Sequence, residues 1–365
     1  MRVNRLTLRN FRNYVNLELD FIANINIFIG ENAQGKTNIL ESLFIGSFAR
    51  SHRTSTDDDL IGWDYPRASV DIFFTRQGVD NKLSFRLVRE QKKEILLNDF
   101  AIKPRDVIGS LTTVLFSPED LWLIKGAPGL RRRFIDIEIS QAVPAYYRHL
   151  LQYNRVLNQR NHLLKKIREK RAGSEQLEAW DEQLAKTAAF LVNKRVDALK
   201  KLGMLANLMQ RKITASKENL SITYSQVGTA ENGPIDNYEW FRENLITTRQ
   251  ADIFSGSTSL GPHRDDVIFK VNGRDLRNFG SQGQQRTGIL ALKLAELEFL
   301  KSETGEYPVL LLDDVMSELD SQRREQLLLF IRDRIQTFIT ATDAALFPTV
   351  KIGQYYRVSG GTVLE

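Results

Sequence analysis

The chain has 365 residues, 42% of them hydrophobic, no cysteine, a net charge of +6 and a pI near 9.3. That length exceeds the usual single core, so two domains are expected, and the lack of cysteine excludes disulfides and thiolate metal or redox centres. Met1 to Asn10 alternates charged with apolar residues, and no apolar run approaches the roughly 20 residues of a membrane span, so a soluble protein is expected, neither exported nor membrane-spanning, and the lack of cysteine fits a reducing, cytoplasmic setting.

The first hundred residues read as strands: Val3 to Leu8, Val15 to Phe21, Ile25 to Ile29, Ser69 to Arg76 and Leu83 to Val88, with a hairpin turning at Asn98-Asp99. Within this stretch Gly30-Glu31-Asn32-Ala33-Gln34-Gly35-Lys36-Thr37 is a complete phosphate-binding loop. It follows an apolar strand and leads into an apolar helix beginning near Asn38. Two glycines let the backbone turn so that successive N–H groups converge on phosphates, Lys36 adds a point charge, and the Thr37 hydroxyl suits Mg²⁺. The pattern points to a nucleoside triphosphate.

From about Val143 to Arg211 the period becomes helical. Val143, Tyr147, Leu150, Leu157 and Leu164 form one run, and Leu177, Trp180, Leu184, Ala188 and Leu191 a second, separated by the polar Glu169 to Glu175. The reading is an antiparallel hairpin, a short coiled coil with Asn154 and Asn161 on its seam; a three- or four-helix bundle without an exposed arm fits the same pattern. Gln141 to Leu220 carries sixteen Lys and Arg against seven Asp and Glu, a local +9 that leaves −3 for the rest. These cations either meet a polyanion or solvate an exposed helix pair.

After Asp252 the expectation is a hairpin at Asn272-Gly273, a helix from Gln282 to Leu300, a strand Val309 to Leu312, a helix from Ser321 to Ile331 and a final strand Thr337 to Thr340. The strand before Asp313-Asp314 delivers two acids to its end. Asp313 suits Mg²⁺ and Asp314 suits orientation of an attacking water, although an acidic strand end is also ordinary turn chemistry. Because a phosphate loop needs such a strand, the helical segment reads as an insert in one nucleotide-binding fold built from both chain ends.

Phe279 to Gln285, containing Ser281, Gln282 and Gly283, resembles the signature motif of ABC-type ATPases, and is also readable as a plain helix N-cap. Ser317-Glu318-Leu319-Asp320 resembles their D-loop. With these, Leu8-Arg9-Asn10-Phe11-Arg12-Asn13-Tyr14, the phosphate loop with Asn38 after it, Ser117-Pro118-Glu119-Asp120-Leu121, Arg131-Arg132-Arg133-Phe134-Ile135-Asp136, Gly261-Pro262-His263-Arg264-Asp265-Asp266 and Leu312-Asp313-Asp314 run the length of the chain. Together they resemble the RecF family, bacterial recombination mediators related to SMC ATPase heads.

The resemblance implies an α/β fold, an ABC-type ATPase head of the P-loop NTPase class made of residues 1–115 and 255–365, with an α-helical arm domain inserted at 116–254. It implies a weak ATPase using ATP and Mg²⁺, a head-to-head homodimer around two ATP molecules, and DNA binding at gaps and junctions. It further implies work with a RecR-type mediator in recombinase loading, replication restart and the SOS response. In the dimer Ser281, Gln282, Gly283 and Asp320 would meet the partner's nucleotide.

There are departures. Ala33 stands where SMC-type relatives often have glycine, a change that is mild if φ stays negative. Asp314 replaces the usual Glu, a shorter side chain that suits slow hydrolysis. Thr340-Ala341-Thr342-Asp343 offers no switch histidine, and Ser117 to Leu121 no Q-loop glutamine. His263 and Arg264 read as structural or functional, with no partner at zinc spacing, and Arg131 to Arg133 as DNA contacts or a surface coat. An ATP-hydrolysing transporter subunit shares the motif set. A GTPase would want Asn-Lys-x-Asp, which Asn81-Lys82-Leu83-Ser84 and Asn193-Lys194-Arg195-Val196 lack.

Overall fold

Strict alternation builds the first sheet: Ala68, Val70, Ile72 and Phe74 are buried and the residues between them are not. A computed structural model describes residues 1–229, 233–348 and 352–364. These fall into two compact units, Met1–Asp120 with Lys293–Glu365, and Leu121–Leu292. The divisions lie at 120/121 and 292/293, where the sequence reading divides the chain at 115/116 and 254/255.

In the first unit a six-stranded antiparallel sheet runs in the order Tyr14–Asp20, Arg2–Phe11, Arg67–Arg76, Val79–Val88, Glu94–Leu97 and Phe100–Ala101. The hairpin at Asn98-Asp99 forms, both residues having positive φ. A second sheet runs Thr362–Leu364, Gln354–Ser359, Ile25–Ile29, Thr337–Ala341, Val309–Asp313 and Thr113–Phe116. Its pairings are parallel except for the terminal hairpin. Its central strands are buried along almost their whole length, as expected of strands covered on both faces.

Register decides function here. Ile29 pairs with Ala341 and Asp313 with Thr340, so Gly30, Asp313 and Thr340 meet at the carboxyl ends of neighbouring parallel strands. The helix Lys36–Phe48 follows the loop and is buried along almost its whole length, from Ile39 to Phe48. From Ile39 onward it has no solvent-facing side, and its polar members Glu41, Ser42 and Ser47 are buried with the rest. Gly46 has no room for a side chain, since a Cβ would stand 2.7 Å from Ile72. Thr337–Ala341 is not the final strand: Gln354–Ser359 and Thr362–Leu364 follow, and Gln354–Ser359 pairs with Ile25–Ile29.

The second unit contains the helices Pro128–Ala142, Pro144–Arg168, Glu178–Ile213 and Tyr238–Ser255. Two begin with proline, whose missing N–H costs nothing at a helix start. Asn237 caps Tyr238–Ser255, accepting from the Trp240 N–H at 2.7 Å, and left-handed Gly256 ends it. A small antiparallel sheet, Leu220–Ser225, Asp266–Val271 and Arg274–Asp275, completes the unit and includes the expected Asn272-Gly273 turn.

The helical hairpin forms, but its seam differs from the expected one. Tyr153, Val156, Leu157, Leu163 and Leu164 are buried along Pro144–Arg168, and the expected Leu177, Leu184, Ala188 and Leu191 are buried opposite. Asn154 is exposed, and Asn161 accepts from the N–H and hydroxyl of Thr258 at 2.8 and 2.7 Å. A third helix, Tyr238–Ser255, packs on both members of the pair. The buried stripe therefore widens beyond a two-stranded heptad, and the polar seam position is fully buried Arg160.

Candidate functional site

The phosphate loop is shaped by what surrounds it. A Cβ on Gly30 would lie 2.2 Å from the Val358 carbonyl oxygen, so only glycine passes beneath the neighbouring strand. Gly35 has φ +113° and is closed in by Asn13 and Tyr14. Ala33 has φ +65°, so the condition under which alanine would be a mild change there, a negative φ, is not met. The loop needs this left-handed step to turn, and the methyl group tolerates it at about 1 kcal/mol. The helix starts at Lys36, earlier than the expected Asn38.

Lys36 is 7% exposed, and its Nζ donates to the carbonyls of Gly30 and Glu31 at 2.6 and 2.7 Å. Burial pushes its pKa down, opposed by the charges of Asp314 and Asp313. Thr37 Oγ1 donates to Asp313 Oδ1 at 2.9 Å across 276 residues of sequence. The loop and the acidic strand end are thus one site. Thr37 and Asp313 present hydroxyl and carboxylate oxygens side by side, the hard donors that suit Mg²⁺. Among the described residues no group of three or more His, Cys, Asp or Glu side chains could hold a metal ion, so further ligands would come from phosphate and water.

Asp314 sits in the left-handed region, φ 53°, ahead of the single turn Val315–Glu318. Burial raises its carboxyl pKa; Lys36 and the Ser317 hydrogen bond pull it down, while Asp313 and Glu318 push it up. Its Oδ1 is buried with no hydrogen-bond partner among the described residues. A strained acid beside a lysine, with one free oxygen, is equipped to orient a water and accept its proton.

In the sequence Thr340 stands out only as a place where no histidine occurs. Its hydroxyl donates to Asp313 Oδ1 at 2.8 Å and accepts the Asp314 N–H at 2.9 Å, tying the two acids together. Another residue that the motifs do not mark lies behind the loop. Glu41, fully buried, accepts from Arg12 Nε and Nη2 at 3.0 and 2.7 Å and from Arg53 at 3.4 Å. Burial pushes its carboxyl up, but bonds from Arg12 and Ser51 and the charges of Arg12 and Arg53 hold it below its ordinary value. The available signal is a lone acid in the apolar run Ile39 to Phe44.

The other expected site residues divide. Asn38 donates to Asn13 Oδ1 and accepts from Arg53, both at 2.8 Å, beside the loop; Glu31 and Asn32 are exposed, and Gln34 is held from outside the loop. Asp320 caps Ser321–Ile331, accepting the Arg323 N–H at 2.9 Å. Ser281, Gln282 and Gly283 belong to the second unit. There Ser281 Oγ accepts the Gln284 N–H at 3.2 Å and the Ser281 N–H donates to Gln284 Oε1 at 3.0 Å, a reciprocal capping box at the start of Gln282–Thr304.

Most of two further strings is engaged in hydrogen bonds within the second unit. In the second unit His263 Nδ1 meets the Tyr153 hydroxyl at 2.6 Å, Arg264 donates twice to the Thr258 carbonyl, and Asp265 accepts from Tyr224 and from the Val227 N–H. Arg131, 3% exposed, pairs with Asp266 and so is neither a DNA contact nor a surface coat; only Arg133 of the three is exposed.

The model of the RecF/RecN/SMC N terminal domain matches residues 2–360. A relative from Alkaliphilus oremlandii, "DNA replication and repair protein RecF", is 47% identical over 345 residues, covering 94% of this chain and 93% of the relative. The protein of the same name from Clostridium novyi is 42% identical over 372 residues, covering 100% and 99%. The solved structure of the recombination mediator protein RecF-ATP in the RecFOR pathway superposes with a TM-score of 0.92 at 37% identity, over 100% of this chain and 97% of that one. The Smc head domain from Pyrococcus furiosus gives 0.58 at 16% identity over 100% and 95%, a likeness of fold alone.

Proposed function

Since this chain belongs to the RecF family, we propose that it is an ATP-dependent DNA-binding protein of recombinational repair, cytoplasmic, acting as a homodimer closed by ATP. The observation that carries this is the hydrogen bond joining Thr37 to Asp313, which unites the phosphate loop with an acidic strand end beside buried Lys36. Gly30 to Asn38 cradle the phosphates, Lys36 neutralises them, and Asp314 orients water. Thr37 and Asp313 would hold Mg²⁺, which would supply neutralisation of the phosphate charge. The head, residues 1–115 and 255–365, does this chemistry, and the arm, 116–254, meets other partners.

Ser281, Gln282, Gly283 and Asp320 act across the dimer on the partner's nucleotide, and slow hydrolysis by Asp314 opens the dimer and releases DNA. Relatives named for DNA replication and repair, and a solved relative described in the RecFOR pathway, support DNA gaps and junctions and a RecR-type mediator as partners. Recombinase loading, replication restart and SOS induction follow from those partners. The transporter reading is overturned by the full-length match to RecF proteins.

The test is nucleotide titration with dimer mass followed by light scattering. Lys36→Ala is expected to lose ATP affinity and the ATP-driven dimer while remaining folded. Ser281→Arg is expected to keep monomer ATP binding and lose the dimer. An ATP-induced dimer in Lys36→Ala overturns the phosphate-loop assignment; lost monomer binding in Ser281→Arg moves Ser281 into the same-chain pocket.

A further inference from the structure

Lys36 braces the start of the phosphate loop from within, but the end of the loop is held from elsewhere in the chain. Two consecutive loop carbonyls are gripped by groups from outside it. The Gln34 carbonyl accepts from Asn13 Nδ2 at 2.9 Å and from the Gly361 N–H at 3.3 Å. The Gly35 carbonyl accepts from the Tyr14 hydroxyl at 3.1 Å and the Asn38 N–H at 2.9 Å. The Gln34 side chain is held as well, its Oε1 accepting the Gly360 N–H at 2.7 Å. Asn38 Nδ2 donates to Asn13 Oδ1, fixing the Asn13 amide so that its own Nδ2 faces Gln34.

Peptide planes are rigid and trans, so a carbonyl held on one side sends the next residue's N–H to the other. Gripping the Gln34 and Gly35 carbonyls therefore aims the N–H groups of Gly35 and Lys36, which in this motif face the phosphates. The contact is tight at both ends. A Cβ on Gly35 would stand 2.6 Å from Asn13 Nδ2, and a Cβ on Gly361, whose φ is +77°, would stand 2.2 Å from the Asn13 carbonyl oxygen.

We infer that Asn13 and the Gly360-Gly361 turn of the last hairpin are positioning residues that preset the phosphate loop for ATP. The C-terminal hairpin is then part of the nucleotide site without touching nucleotide. The inference rests on the loop being that site, and it adds a device at the opposite end of the chain. Preorganised donors gain affinity because the bound state no longer has to order them.

The test is equilibrium titration of full-length protein with a fluorescent ATP analogue and Mg²⁺, with thermal melts and steady-state hydrolysis alongside. Asn13→Ala and Gly361→Ala are each expected to weaken affinity about tenfold, the scale of one well-made hydrogen bond, raising KM for ATP with kcat unchanged. Asn13 is exposed, so its replacement leaves folding intact even if Gly361→Ala does not fold. Gly78→Ala is the control: Gly78 has φ +77° in another hairpin turn with open space around it, so it loses stability but keeps affinity. Unchanged affinity in both folded variants, or an equal loss in Gly78→Ala, overturns the clamp while leaving the ATP site standing. Failure of the wild-type protein to bind the analogue overturns both.

Discussion

Asp314 and His263 show one physical effect, burial, serving opposite ends. At Asp314 burial raises the pKa of an acid that faces Lys36 and has one oxygen with no hydrogen-bond partner among the described residues. In the role proposed for Asp314, Asp314→Asn keeps the shape but removes the group that would accept the water's proton. ATP binding is therefore expected to survive while single-turnover hydrolysis slows about 100-fold, within the usual range for a lost general base. At His263 burial, with the nearby Arg264, Arg132 and Arg195, lowers the pKa to about 4, despite the Thr258 carbonyl working the other way. The folded value lies below the unfolded one near 6.5, so the unfolded chain binds the proton first as pH falls. Stability is full above pH 6.5, declines down to about 4, and is level below. Urea titrations should show about 2 kcal/mol lost between pH 7.5 and 5, and His263→Gln should remove that part of the slope.

Among the elements, the helices of the second unit are locked by charge as much as by apolar packing. Arg160 is fully buried on Pro144–Arg168 and binds Asp181 on Glu178–Ile213 and Asp252 on Tyr238–Ser255, each at 2.7 Å, with Thr258 at 2.8 Å. A buried ion network specifies one arrangement of three helices because any slip leaves a charge unpaired. Arg160→Leu strands the Asp252 carboxylate and is expected to cost about 3 kcal/mol in urea unfolding. Arg171→Ala, which removes only the exposed pair with Glu169, is expected to change stability by less than about 0.5 kcal/mol.

For the whole molecule, the charge distribution is the quantity that bears on DNA. Lys165, Lys166, Lys170 and Arg171 cluster where Pro144–Arg168 ends and are all exposed. If they meet phosphates, reversing all four to Glu should weaken DNA binding about uniformly across sequences. It should also reduce the slope of log affinity against log salt by roughly 1 for each phosphate no longer neutralised, with ATP binding intact. Affinities measured at several salt concentrations decide it. An unchanged slope assigns these cations to solvation of the arm or to a protein partner.

What the sequence determined by itself was the chemistry with short-range grammar. A strand, two glycines, Lys36 and Thr37 define a phosphate loop because adjacent backbone groups make it, and Ser321–Ile331 and Ile25–Ile29 were legible to the residue because their caps and apolar runs are local. The pairing of Asp313 with Thr37 was inferable from what such a loop requires. Tertiary structure alone decided the rest. Asn154 lost its seam place to Arg160 because a third helix widened the buried stripe, and Ala33 took positive φ because the closed loop demands it. Thr340, Glu41 and the Gly360-Gly361 turn gained their roles from strand register and from hydrogen bonds spanning up to 326 residues. No local periodicity encodes such bonds, because they exist only once the parallel sheet brings distant strand ends to one edge.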